Sequence, residues 1–176
     1  MPVPRPEPRG YPGNLGSCFA EHATASRTAI VDLRDRDQPR EIGYAELDRL
    51  CDALARGLVR AGIGSGDRIA ILSLNRHEFV ATVLGAMRAG AVPVPINIKS
   101  TPDTVGLILD DAKARLVFLE PAFERLCPTS LRKVEYGSNG AHGFDRFLDP
   151  GEFTAIEPGP ETVAIQPYTS GSKGRP

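Results

Sequence analysis

The residues best suited to chemistry lie together at the C-terminal end: Tyr168-Thr169-Ser170-Gly171-Ser172-Lys173-Gly174-Arg175-Pro176. This stretch combines hydroxyls, glycines, a lysine and an arginine. Glycine lets a backbone approach an anion closely and turn successive N–H groups towards it. Serine and threonine hydroxyls add neutral donors, and Lys173 adds charge. Together these groups can cradle a phosphate. A plain Gly/Ser surface turn is the other reading, and composition alone does not separate the two.

Two familiar phosphate loops are excluded. Gly-x-x-x-x-Gly-Lys-Ser/Thr is absent, because Lys173 is followed by Gly174 and no other stretch fits. No Gly-x-Gly-x-x-Gly lies between a strand pattern and a helix pattern. Gly62-Ile63-Gly64-Ser65-Gly66 occurs in the reverse order, after a helix and before a strand, and reads as a turn. The histidines (His22, His77, His142) and cysteines (Cys18, Cys51, Cys127) are scattered, so no metal site is expected. His77 reads as a solvent-facing residue of a first helical turn. Its place past a strand end is nevertheless where open α/β sheets often bind ligands.

The elements that must position the loop follow from periodicity. Residues 161–167 read as a strand that delivers it, after a Pro/Gly-rich connector over 150–160. Upstream, residues 14–23 predict a short helix with Leu15, Cys18 and Phe19 on one face, and 28–33 a strand. A charged turn follows, then a second short strand at Glu41-Ile42. The clearest helix spans 44–61. Leu47, Leu50, Cys51, Leu54, Leu58 and Ala61 form its apolar stripe, and Arg49, Asp52, Arg56 and Arg60 lie opposite. Asp52 and Arg56 are spaced for an i,i+4 pair, Glu46 for a capping contact at the first turn, and Gly62 for the C′ position.

Residues 68–72 read as a strand buried on both faces. A helix capped by Asn75 follows, with Phe79, Val80, Val83, Leu84 and Met87 as its core face and Gly90 at its end. Prolines alternate with apolar residues from Ala91 to Ile96, which places that strand at an edge or makes it irregular. Thr101 and Pro102 open another helix as N-cap and first residue, with Val105, Ile108, Leu109 and Ala112 inward. Asp110 and Asp111 fall near its negative end, and nothing in the sequence accounts for them. A strand over 115–119, a helical turn over 121–126, a strand over 131–136, a loop over 137–143 and another turn over 144–148 complete the reading. This alternation implies an α/β fold, a largely parallel sheet flanked by helices on both faces.

Composition narrows the classes. A chain of 176 residues can bury one ordinary core. The net charge of −1 gives no case for nucleic acid or an acidic membrane surface. Few, odd and separated cysteines fit a reduced, cytoplasmic protein. The apolar run from Phe79 to Met87 is too short for a transmembrane segment. The first 13 residues form a proline-rich leader, expected to be disordered, without the apolar stretch of a signal peptide.

The loop resembles the phosphate-loop signature of the adenylate-forming enzymes: acyl-CoA synthetases, firefly luciferase and peptide-synthetase adenylation domains. That signature usually reads Tyr-Thr-Ser-Gly-Thr/Ser-Thr-Gly-x-Pro-Lys-Gly. Here Lys173 stands where a hydroxyl is usual, and the sequence stops at Pro176 before Lys-Gly. The resemblance extends upstream through Ile42-Gly-Tyr-Ala-Glu-Leu-Asp-Arg-Leu50 (Thr is usual at Gly43), Gly66-Asp-Arg-Ile-Ala-Ile-Leu72 and Glu78-Phe-Val80. It continues through Leu84-Gly-Ala-Met-Arg-Ala-Gly-Ala-Val-Pro-Val-Pro-Ile-Asn97, Thr101-Pro102 and Ala114-Arg-Leu-Val-Phe118. It is poor over 121–159. The Gly-Ala-Val-Pro-Val-Pro run is more like acyl-CoA synthetases than peptide-synthetase domains.

This resemblance implies an acid–thiol ligase that uses ATP, Mg2+ and coenzyme A on a carboxylic acid substrate. Thr169, Ser170, Gly171, Ser172 and Gly174 would hold ATP phosphates. Lys173 either adds a charged contact or faces solvent. The family's ribose-binding Asp, magnesium ligand, acyl pocket and catalytic Lys lie further on than Pro176. Residues 14–176 therefore resemble part of an N-terminal domain, expected to be inactive alone and disordered over its last residues. A homodimer is left open. Two rivals stand beside this: a small non-catalytic α/β module binding a nucleotide or partner, and a nicotinamide-dependent oxidoreductase, which the missing glycine fingerprint disfavours.

Overall fold

The computed structural model describes residues 13–23, 27–138 and 140–169. The leader up to Pro12 and the loop from Ser170 to Pro176 lie outside the described residues, and so do the expectations of disorder placed on them. Strands β1 (Thr28–Asp32) and β2 (Arg40–Gly43) form an antiparallel hairpin. Helix α1 (Tyr44–Arg60) leads into β3 (Arg68–Leu72), α2 (His77–Arg88), β4 (Val92–Pro95), α3 (Pro102–Ala112), β5 (Leu116–Leu119), β6 (Lys133–Glu135) and the short α4 (Phe144–Phe147). A parallel four-stranded sheet runs in the order β4-β3-β5-β6.

Alternation along the strands divides the core between the two faces. Ile69, Ile71, Leu116 and Phe118 pack against Leu54 and Leu58 of α1, Ala86 of α2 and Phe144 of α4. Ala70, Leu72, Val117 and Leu119 face Val105, Ile108 and Leu109 of α3. Helices thus cover both faces, as the pattern predicts. The chain passes from β3 to β4 through α2, then returns through α3 on the other face to β5, beyond β3. The connections therefore reverse direction between β3 and β5.

Several local expectations hold. Thr101 accepts the Thr104 N–H as N-cap, with Pro102 as first residue of α3. Gly62 (φ +78°) closes α1, and the Ile63 N–H reaches the Leu58 carbonyl, which satisfies an otherwise unpaired acceptor. Gly90 (φ +73°) does the same after α2.

Others are corrected. Residues 14–23 form two 3-10 turns, Leu15–Ser17 and Ala20–His22, instead of one helix. Arg88 takes the Gly16 carbonyl at 2.9 Å, the acceptor that a continuous helix would need for its next turn. Helix α2 starts at His77, and neither Asn75 nor any other side chain caps it. Glu46 pairs with Arg40 at 2.6 Å instead of capping α1. Asp52 pairs with Arg88, and Arg56 reaches Asp149, so the expected i,i+4 pair is replaced by two longer-range ones. The deepest face of α2 carries His77, Ala81, Thr82, Gly85, Ala86 and Arg88, and at Gly85 the approach of Cys51 and Leu54 of α1 leaves no room for a side chain. Phe79, Val80, Val83, Leu84 and Met87 are only half-buried.

Residues 161–167 do not form a strand. They run beside β4, whose Pro93 and Pro95 have no N–H. Val92 and Ile96 spend their N–H groups on Asp67 and Ile71 across β3, so the outer edge offers this segment acceptors without donors. One hydrogen bond, from the Gln166 N–H to the Pro93 carbonyl at 3.0 Å, is made.

Candidate functional site

Of the expected phosphate-binding residues only Thr169 is described, and it is exposed. Ser170, Gly171, Ser172, Lys173 and Gly174 lie outside the described residues. What the structure does give is the root from which that loop departs.

Three contacts hold the root. Gln166 is tied to β4 through its backbone, and its side-chain carbonyl accepts from Arg68 Nε at 3.4 Å. The Gln166 amide donates to the Tyr168 hydroxyl at 2.7 Å. That hydroxyl in turn donates to the Asp111 carboxylate at the end of α3. The Tyr168 ring packs on the α3 side of the core. Burial, and then the adjacent Asp111 carboxylate, pushes the Tyr168 phenol up from its ordinary value, so it remains a donor at neutral pH. Asp111, unexplained by sequence, thus has a partner.

A second polar cluster sits past the end of β3. His77 is buried, contrary to the solvent-facing expectation, with 4 % of its surface exposed. Its Nδ1 donates to Asp32 Oδ2 at 2.7 Å. Arg34 grips both oxygens of Asp32 at about 3 Å. Arg76 grips both oxygens of Glu78, at 3.0 and 2.7 Å, and stacks over the Tyr136 ring at 4.8 Å. Burial would raise the Asp32 carboxyl, but hydrogen bonds from Arg34 and His77 outweigh it and hold the group well below the carboxylate range. Glu78 is likewise lowered: burial opposes this, and the Arg76 hydrogen bonds prevail.

Asp32, His77 and Glu78 present ligand atoms within 4.8 Å of one another, close enough to hold a metal ion. Arg34 and Arg76 already occupy their carboxylate oxygens and place positive charge there, which disfavours a cation. The reversal point between β3 and β5, where such sheets bind ligands, is also filled: Glu120 accepts from the Ser73 hydroxyl and the Leu74 N–H at 2.8 and 2.7 Å. This cluster therefore fastens the hairpin and α2 to the sheet. The spacing of His77, Ala81 and Gly85 at i, i+4 and i+8 was the signal that His77 lies on a buried face. A hollow of about 180 Å3 behind the connector, lined by Leu15, Met87, Ile156 and Val163, has Glu157 as its one titratable group among the described residues, which carry no comparable chemistry there.

A family model described as AMP-binding enzyme matches residues 19–176. The chain belongs to the AMP-binding enzyme family. The match includes the loop itself, so the resemblance read from Tyr168–Pro176 and the upstream motifs is borne out. Among its relatives in this family is the 3-hydroxybenzoate–CoA/4-hydroxybenzoate–CoA ligase of Thauera aromatica, 31 % identical over 78 % of this chain and 29 % of that protein. Another is the long-chain-fatty-acid–CoA ligase FadD15 of Mycobacterium bovis, 28 % identical over 99 % of this chain and 32 % of that protein. The solved structure of a long-chain-fatty-acid-CoA ligase from Archaeoglobus fulgidus covers 93 % of this chain, and the match takes in 36 % of that chain. Its TM-score is 0.81 at 24 % identity, which establishes the shared fold. The chain spans about a third of the length of the curated relatives it matches.

Proposed function

We propose that these residues belong to an ATP-dependent acyl-CoA synthetase and supply the start of its nucleotide site. The observation that carries this reading is the family match running through the phosphate loop to Pro176. A carboxylate oxygen attacks the α-phosphorus of ATP, the bond to the β-phosphate bridging oxygen breaks, and pyrophosphate leaves. The thiol of coenzyme A then loses its proton and attacks the acyl carbon, and AMP departs with the electron pair of the C–O bond. The protein's task in the first step is to hold spread phosphate charge and align the attack. Hydroxyls of Thr169, Ser170 and Ser172 and the N–H groups of Gly171 and Gly174 hold the β- and γ-phosphates. Mg2+, when bound, neutralises part of the triphosphate charge. The relatives named above act on aromatic or long-chain acids, and both classes belong in the first substrate panel.

The test is carboxylate-dependent ATP–pyrophosphate exchange in the full-length protein, with benzoates and long-chain fatty acids as substrates. Exchange that requires a carboxylate is the expected result. Its absence with every acid, in protein that still binds ATP, would favour a non-catalytic nucleotide-binding module. Lys173 adds a charged contact in this reading, so Lys173→Thr should raise the KM for ATP several-fold and leave that for the acid unchanged. An unmoved KM for ATP assigns Lys173 to solvent.

A further inference from the structure

Asp111 lies in the last turn of α3, with Asp110 beside it and no basic residue in that turn. Acids at this end oppose the helix dipole and destabilise the helix. The helix alone gives no reason for Asp111. The reason lies outside it, in the hydroxyl of Tyr168, the residue immediately before Thr169. Since the β4 edge offers the segment a single backbone hydrogen bond, side chains must fix its path. Arg68, Gln166, Tyr168 and Asp111 form one chain of hydrogen bonds from β3 to α3, with the root of the loop strung between them.

We infer that Asp111 is a positioning residue for nucleotide binding: by holding Tyr168 it sets the point at which the phosphate loop leaves the sheet. This rests on the functional reading above. Asp111 touches no substrate and acts through Tyr168 alone. A carboxylate acceptor suits the task, because a charge-assisted hydrogen bond from a phenol is stronger and shorter than a neutral one. An error of about 1 Å in the origin of a phosphate cradle is enough to weaken its donors' alignment by a large factor.

The experiment is steady-state kinetics of the full-length protein with Asp111→Ala, Asp111→Asn, Tyr168→Phe and the Asp111→Ala/Tyr168→Phe double variant. Asp111→Ala and Tyr168→Phe should each raise the KM for ATP about tenfold, near the 1.4 kcal/mol of one hydrogen bond. The KM for the carboxylate should stay within twofold. Asp111→Asn keeps an acceptor and should recover most of the loss. The double variant should be no worse than Tyr168→Phe alone, because that variant already removes the bond to Asp111 together with the one from Gln166. If Asp111→Ala lowers the melting temperature and impairs both substrates alike, Asp111 is merely structural and the inference fails. It fails equally if the KM for ATP does not move. An active wild type with unmoved variants overturns this inference alone, whereas an inert wild type overturns the functional reading and the inference together. Should Asp111→Ala not fold, Tyr168→Phe decides, since its ring still packs on the core.

Discussion

Arg88 shows how much a single buried charge can organise. Its side chain is 3 % exposed and donates to Asp48 and Asp52 at 2.6 Å each, and to the Gly16 carbonyl at 2.9 Å. It therefore joins α1, α2 and the first 3-10 turn at one point. Arg88→Met should cost about 3 kcal/mol in chemical denaturation, the lower end for breaking a buried pair, because Asp48 and Asp52 retain some contact with water. A cost below about 1 kcal/mol would show that the two acids are solvated without it. The cysteines differ as sharply. Burial pushes the Cys51 thiol up to about 12, and it also raises Cys127, whereas Cys18 is exposed. Thiolate is the reactive species, so a native alkylation series should label Cys18 first and Cys51 only on unfolding. Rapid labelling of Cys51 without denaturant would mean that α1 and α2 part readily.

At the scale of elements, the α1–α2 contact depends on a missing side chain. A Cβ at Gly85 would lie 2.7 Å from the Cys51 carbonyl oxygen and within 3 Å of Leu54. Alanine is the better helix former by about 1 kcal/mol, but crowding against a backbone oxygen costs about 1–3 kcal/mol. Gly85→Ala should therefore destabilise by up to about 2 kcal/mol. A rise in stability would show that the helices can move apart at little cost. This contact explains what the sequence could and could not tell. Each strand from β1 to β6 and each helix from α1 to α3 was legible, because periodicity and punctuation by Gly62, Gly90, Thr101 and Pro102 report local physics, whereas the four residues of α4 read only as a turn. The buried face of α2 was not. Its large apolar residues pointed one way, while the close approach of α1 favoured Ala81, Gly85 and Ala86. The expected strand over 161–167 failed for a related reason: its own β pattern was sound, but the prolines of β4 denied it a ladder. The family resemblance was legible from the loop's residues and the upstream motifs, whereas the contact of Tyr168 with Asp111 joins residues far apart in sequence and needed the fold.

Across the whole molecule, the cluster of Asp32, Arg34, His77 and Glu78 sets the response to acid. Asp32 lies on β1 and His77 opens α2, so their hydrogen bond fastens the hairpin to the sheet domain. Both Asp32 and Glu78 have folded-state pKa values below their ordinary ones. The unfolded chain therefore takes up their protons first as pH falls, and the stability they contribute is full above about pH 5 and lost progressively below about pH 4. Ile42 of β2 is fully buried with Leu47, Cys51 and Ala81, so the hairpin shares a core with α1 and α2. Loosening the cluster should accordingly lower one cooperative transition instead of releasing the hairpin by itself. Asp32→Asn should lower the melting temperature at neutral pH, since it removes a charge that Arg34 and His77 both face. It should also flatten the decline of melting temperature between about pH 5 and pH 2, because one of the groups that drives the decline no longer titrates. Parallel curves for variant and wild type would place the acid sensitivity elsewhere. A separate early transition in the variant would mean that the hairpin is held by Asp32 alone, and that the shared core around Ile42 contributes little.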